Sequence, residues 1–128
     1  MGNGTSIGRA RGLGSAHEGV HPWLMQRFTA AGNLLLVGFL VVSILMLPSL
    51  DYQTVRNWIA EPLPAVAMAL LIVSVFWHTR LGLNEMIGDY VHEAGNKMAC
   101  VLALNLAAFG GAAFGLFCIA RMALGGAA

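Results

Sequence analysis

The chain has 128 residues, of which 58% are hydrophobic and 10% charged, with a formal net charge of +1. A water-soluble domain carries about a quarter of its residues as charges, so this composition excludes one, and the near-neutral balance gives no footing for nucleic-acid binding. Three long apolar stretches account for the deficit and predict an all-α integral membrane protein of three transmembrane helices, with no room for a soluble catalytic domain.

Residues 1–22 are polar and rich in glycine. A cleavable secretory signal would place its apolar core here, so the first span is expected to act as an uncleaved anchor. Met1-Gly2 with Ser6 fits a myristoylation pattern and Asn3-Gly4-Thr5 a glycosylation sequon; both patterns are short enough to arise by chance and are set aside. His17, His21, Trp23 and Arg27 cluster at the approach to the first span. The Arg27 fork suits an anionic group such as a carboxylate, and it suits equally a long side chain reaching back to lipid phosphate.

The spans are predicted at 23–47, 63–88 and 98–124, each long enough at 1.5 Å per residue to cross a hydrocarbon core of ~30 Å. The connection 48–62 holds Tyr52 and Trp58 in a pattern that suits a short interfacial helix. The third span carries Ala107, Gly111 and Gly115 four residues apart, a seam where another backbone can approach closely. Cys100 and Cys118 lie about 27 Å apart along that helix and cannot pair. Asn33 and Asn105 are expected to hydrogen-bond across helices. Arg9, Arg11, Arg27, Arg80 and Lys97 flank the N-terminal side and the connection 89–97, against Arg56 and Arg121 on the other side. That asymmetry predicts the N-terminus in the cytoplasm or matrix.

Ionisable groups at membrane depth are costly unless paired or ligated, and the second span concentrates them. His78, Gly82, Glu85 and Asp89 are spaced 4, 3 and 4, so they share one stripe, which Ser74 continues one turn deeper. Gly82 leaves space beside the histidine for something broad and flat. A neutral imidazole there suits an axial ligand of haem iron, and it suits equally a hydrogen bond to a neighbouring helix. Asp89 and Tyr90 set a carboxylate beside a phenol at the membrane edge: a pair able to bind and protonate a polar ring, or an ordinary helix end with an interfacial tyrosine.

Two motifs together resemble the hydrophobic membrane anchor, D-type, of succinate dehydrogenase, respiratory complex II. His78-Thr79-Arg80-Leu81-Gly82 followed by Asp89-Tyr90-Val91 matches that family's histidine, glycine and Asp-Tyr pattern and spacing. Gly14-Ser15-Ala16, Gly19, His21 and Gln26-Arg27-Phe28-Thr29-Ala30 resemble its entry segment. The resemblance implies that His78 is an axial ligand of haem b, with the other ligand on a companion cytochrome b anchor subunit, itself of three helices. It places His21, Arg27 and Gly82 near the haem and the quinone pocket, has Tyr90 hydrogen-bond a ubiquinone carbonyl, and has Asp89 support that tyrosine. It implies an iron-sulphur subunit and a flavoprotein subunit as partners, with electron delivery from succinate to quinone and no bond chemistry by this chain alone. Glu85, Arg80 and His92 receive no role from it.

Two other readings remain: an anchor of a quinol:fumarate reductase, and a small transporter or assembly protein without a cofactor, whose stripe from Ser74 to Asp89 lines a polar path. The Ala- and Gly-rich composition suits a bacterial inner membrane better than a mitochondrial one.

Overall fold

The computed structural model describes residues 19–125. Arg9, Arg11, Gly14-Ser15-Ala16, His17 and the two short patterns within 1–6 therefore lie outside the described residues. Among the described residues four helices follow in chain order: α1 (Val20–Leu45), α2 (Tyr52–Ala60), α3 (Pro62–Tyr90) and α4 (Ala94–Ala123). Among the described residues there is no strand. The protein is a multi-pass membrane protein, because α1, α3 and α4 are each long and apolar enough to cross a bilayer.

The spans have 26, 29 and 30 residues, or about 39–45 Å at the helical rise, against a hydrocarbon core of ~30 Å. Their ends therefore pass into the headgroup layer. Hydropathy marks only the part of a helix that must be apolar, whereas the backbone ladder runs on while its residues allow. Hence α3 continues through Asp89 and Tyr90, and α4 begins at Ala94. The turn between them is three residues long.

Each helix starts and stops for local reasons. Pro22 falls in the first turn of α1, where the amide it lacks would have had no intrahelical partner. Pro48 follows the last turn of α1 and cannot continue it. Pro62 occupies the first position of α3, where its fixed φ suits helix entry. At the other end of α3, Lys97 Nζ donates to the Gly88 carbonyl at 3.5 Å, a cation placed on the negative end of the helix.

The capping of α2 is done by Asp51. Its carboxylate accepts from the Thr54 amide at 3.0 Å, from the Thr54 hydroxyl at 2.8 Å and from the Ser49 hydroxyl. These bonds, Ser49's foremost, hold the Asp51 carboxyl well below the usual carboxylate range. Because the folded value is the depressed one, the cap is at full strength above the unfolded value near ~4 and fades as the pH falls below it.

In the packing, α3 stands between the other two spans. Both α1 and α4 lie against it, and among the described residues no Cα of α1 comes within 8 Å of α4. The space this leaves at one end is closed by α2. Its Trp58 and Ile59 are buried with Leu40 of α1, Ala65 and Ala67 of α3 and Ile119 of α4. Trp58, expected at the membrane interface, is thus a core residue, while Tyr52 on the same short helix is exposed.

The seam on α4 faces α3. A Cβ built on Gly111 would stand 2.6 Å from Phe76 Cζ, and one on Gly115 would stand 3.1 Å from Ile72 Cγ2. These two glycines let the helices approach more closely than side chains would allow. Ala107 is exposed and Ala108 is buried, so the contact face is turned slightly from the four-residue row.

Candidate functional site

Residues 74, 78 and 82 of α3 lie on its α1 side, against residues 26, 29 and 32. The Ser74 hydroxyl donates to the Thr29 carbonyl at 3.4 Å, and a Cβ on Gly32 would be 3.8 Å from Ser74 Oγ. One turn on, His78 Nδ1 is 2.9 Å from Thr29 Oγ1. One turn further, the gap left by Gly82 is filled by Gln26, whose Nε2 would stand 3.2 Å from a Cβ there. The pairs run in opposite directions along the two helices, as antiparallel neighbours require. The polar stripe is therefore met, over its deeper half, by another helix of the same chain.

That arrangement bears on both readings of His78. The imidazole does hydrogen-bond to a neighbouring helix, but through Nδ1 alone. Nε2 takes no hydrogen bond from a described residue, and it is not among the sealed side-chain atoms that lack a partner, which are Gln26 Oε1 and Asn33 Oδ1. A half-buried histidine held at Nδ1 with Nε2 uncommitted has the donor chemistry of an axial haem ligand. Among the described residues no three His, Cys, Asp or Glu side chains gather to hold a metal ion.

The outer half of the stripe is open. Glu85 and Asp89 are exposed, and no hydrogen bond joins Asp89 to Tyr90. Neighbours in sequence are about 100° apart around a helix, so Asp89 falls on the His78 stripe and Tyr90 on the next face. There Tyr90 borders a shallow apolar groove of about 310 Å³ with Leu83, Met86, Ile87, Val91 and Leu104. A phenol at the lip of an apolar groove can donate to a carbonyl of a flat, largely apolar ring. Asp89 lies in the last turn of a helix, where the macrodipole disfavours a carboxylate, a placement that helix stability alone does not explain.

At the start of α1, the Arg27 guanidinium lies 4.0 Å from the centroid of the Trp23 ring. Arg27 is two residues from Thr29, a step of about 200° around the helix, so it occupies the face turned away from α3 and is not brought together with His78 within this chain. His21 is exposed at the same end.

Sequence reasoning left Arg80 and Asn105 apart, and the structure joins them. Arg80 Nε donates to Asn105 Oδ1 at 2.5 Å, and Asn105 Nδ2 donates to the Val101 carbonyl at 2.7 Å. The guanidinium also lies 5.4 Å from the Trp77 ring centroid and 5.6 Å from that of Phe109. An arginine and an asparagine on adjacent apolar spans was the available signal. What the sequence lacked was the register that sets them side by side.

Comparison with known proteins agrees with the motif reading. Residues 1–112 match the family described as the succinate dehydrogenase/fumarate reductase transmembrane subunit. The chain is 31% identical over 117 residues to the succinate dehydrogenase hydrophobic membrane anchor subunit of Paracoccus denitrificans, covering 91% of this chain and 89% of that protein. It is 30% identical over 101 residues to the protein of the same name from Rickettsia conorii, covering 77% of this chain and 80% of that one.

Proposed function

Because the chain belongs to the succinate dehydrogenase/fumarate reductase transmembrane subunit family, we propose that it is the hydrophobic membrane anchor of a succinate:ubiquinone oxidoreductase. In this reading it helps to bind haem b and ubiquinone, and it docks the flavoprotein and iron-sulphur subunits to the membrane beside a companion cytochrome b anchor. The family's description covers both directions of the couple. The curated relatives above carry the succinate dehydrogenase name, which favours that direction over fumarate reduction. Family membership likewise sets aside the carrier reading.

The observation that carries the proposal is the layout of α3, with an imidazole partway along it whose Nε2 takes no hydrogen bond from a described residue and a phenol at a groove one end away. The two are twelve residues, or about 18 Å, apart along the helix. His78 would hold the haem iron through Nε2, and the companion subunit would supply the other protein ligand. A b-type haem bound there supplies a one-electron redox centre within the membrane.

Tyr90 donates its hydroxyl to a quinone carbonyl, which stabilises the negative charge that builds on that oxygen as electrons arrive. Asp89, open to the aqueous edge, serves as the proton donor on the same end of the helix. His21 and Arg27 stand at that end too, where Arg27, flattened on Trp23, offers its fork to an anionic group such as a propionate.

The reading places the chain in a bacterial inner membrane with its N-terminus in the cytoplasm. Arg80 lies ten residues inside α3, where Asn105 holds it. The charge bias behind this orientation therefore rests on Arg9, Arg11, Arg27 and Lys97 against Arg56 and Arg121.

The test is Tyr90→Phe in the assembled complex. Losing one hydrogen bond to the reacting oxygen is expected to lower ubiquinone reduction by roughly tenfold, while succinate oxidation by an artificial dye persists. Equal loss of both activities would remove Tyr90 from the quinone site.

A further inference from the structure

Thr29 is the one buried polar residue among those described, and its hydroxyl has three neighbours that can accept a hydrogen bond. The Met25 carbonyl lies at 2.8 Å, the Gln26 carbonyl at 3.1 Å and His78 Nδ1 at 2.9 Å. A threonine hydroxyl has one proton and two lone pairs. Were that proton given to Nδ1, the hydroxyl oxygen would face two carbonyl oxygens with nothing between them. With the proton shared by the carbonyls of the preceding turn, a lone pair is left for His78, and the ring must bring its own proton on Nδ1. Only that arrangement leaves no pair of acceptors facing each other at hydrogen-bond distance on the Nδ1 side.

We propose that Thr29 is a positioning residue for His78: it fixes the imidazole as the tautomer protonated on Nδ1, sets the plane of the ring, and so presents the Nε2 lone pair as a ligand. The inference rests on the reading of His78 as a haem ligand and extends it to the residue that prepares the ligand before any metal arrives. Such outer partners raise the basicity of a ligating imidazole and govern its orientation. Hydroxyl geometry comes from α1 and the ligand from α3, so the contact between these helices becomes part of the cofactor site.

The experiment uses the purified complex with Thr29→Val, which keeps shape and removes the hydroxyl, and Thr29→Ser, which keeps the hydroxyl. The readouts are the midpoint potential of the b-type haem and the low-spin ferric electron paramagnetic resonance signal, which responds to ring orientation. Thr29→Val is expected to raise the potential, because a less basic imidazole stabilises ferric iron less, and to shift the resonance signal. Thr29→Ser is expected to restore both towards wild type. Loss of haem in the valine variant with retention in the serine variant gives the same support.

An unchanged potential and signal in Thr29→Val would overturn the proposal, as would equal loss of haem in both variants. If the valine variant does not assemble, Thr29→Ala supplies the same comparison with a smaller side chain: a shifted signal supports the role, and an unshifted one overturns it. His78→Ala separates the two layers of the argument. A normal b-type signal in that variant removes the ligand itself, and Thr29's role with it, whereas a lost signal there with an unshifted Thr29→Val removes Thr29 alone.

Discussion

Gly82 shows how a small residue can be read two ways. Beside a histidine, its missing side chain looks like room for a flat cofactor, yet the room is taken by Gln26 of α1. The two roles predict different tolerances. Because the Gln26 amide is the far end of a flexible chain, Gly82→Ala requires it to move by only a few tenths of an ångström, and the b-type absorbance of the complex is expected to survive. Gly82→Leu instead drives α1 from α3 and is expected to lower haem retention by undoing the Thr29–His78 contact. Equal loss of haem in both variants would mean that the glycine lies against the cofactor.

The contact between α3 and α4 is made by steric fit at Gly111, where the obstacle to a side chain is an aromatic ring with little freedom to yield. Gly111→Ala is expected to destabilise the packing by about 1–3 kcal/mol, more than any gain in helix propensity of ~1 kcal/mol returns. Thermal denaturation of the complex should show this as a lowered midpoint, and adding Phe76→Leu should recover part of it. An unaltered midpoint in the single variant would show that Phe76 is free to move aside.

The three spans were legible because a bilayer demands long apolar runs, and the stripe through His78 was legible because a helix repeats every 3.6 residues. Which helix meets that stripe was not, since the pairing of Gln26 with Gly82 depends on the relative register of two helices. Adjacency misled in one place. Asp89 and Tyr90 are neighbours in the chain, but a helix turns them onto different faces, and only Tyr90 borders the groove.

Among the described residues, few side chains are buried and the outer surface is rich in large apolar ones, among them Leu34, Leu35, Phe28, Phe114 and Phe117. In the assembly that the family implies, lipid and the other subunits would share such a surface. Affinity purification of the tagged chain from native membranes in mild detergent is therefore expected to bring covalent or tightly bound flavin and iron-sulphur absorbance with it. Recovery of the chain free of both would separate it from the assembly that its family implies.

The pairing of Arg80 with Asn105 also bears on how the chain is made. Synthesis runs from α1 to α4, and Thr29 of α1 is bonded to carbonyls of its own helix from the start, so His78 meets a prepared partner as α3 enters the bilayer. Arg80 does not. Its asparagine and the Phe109 ring both lie on α4, so until α4 leaves the ribosome and inserts, the guanidinium has only the Trp77 ring of its own helix beside it. A nascent chain stopped before Asn105 would carry that charge without its hydrogen-bond partner, so insertion of α4 is the step that satisfies Arg80.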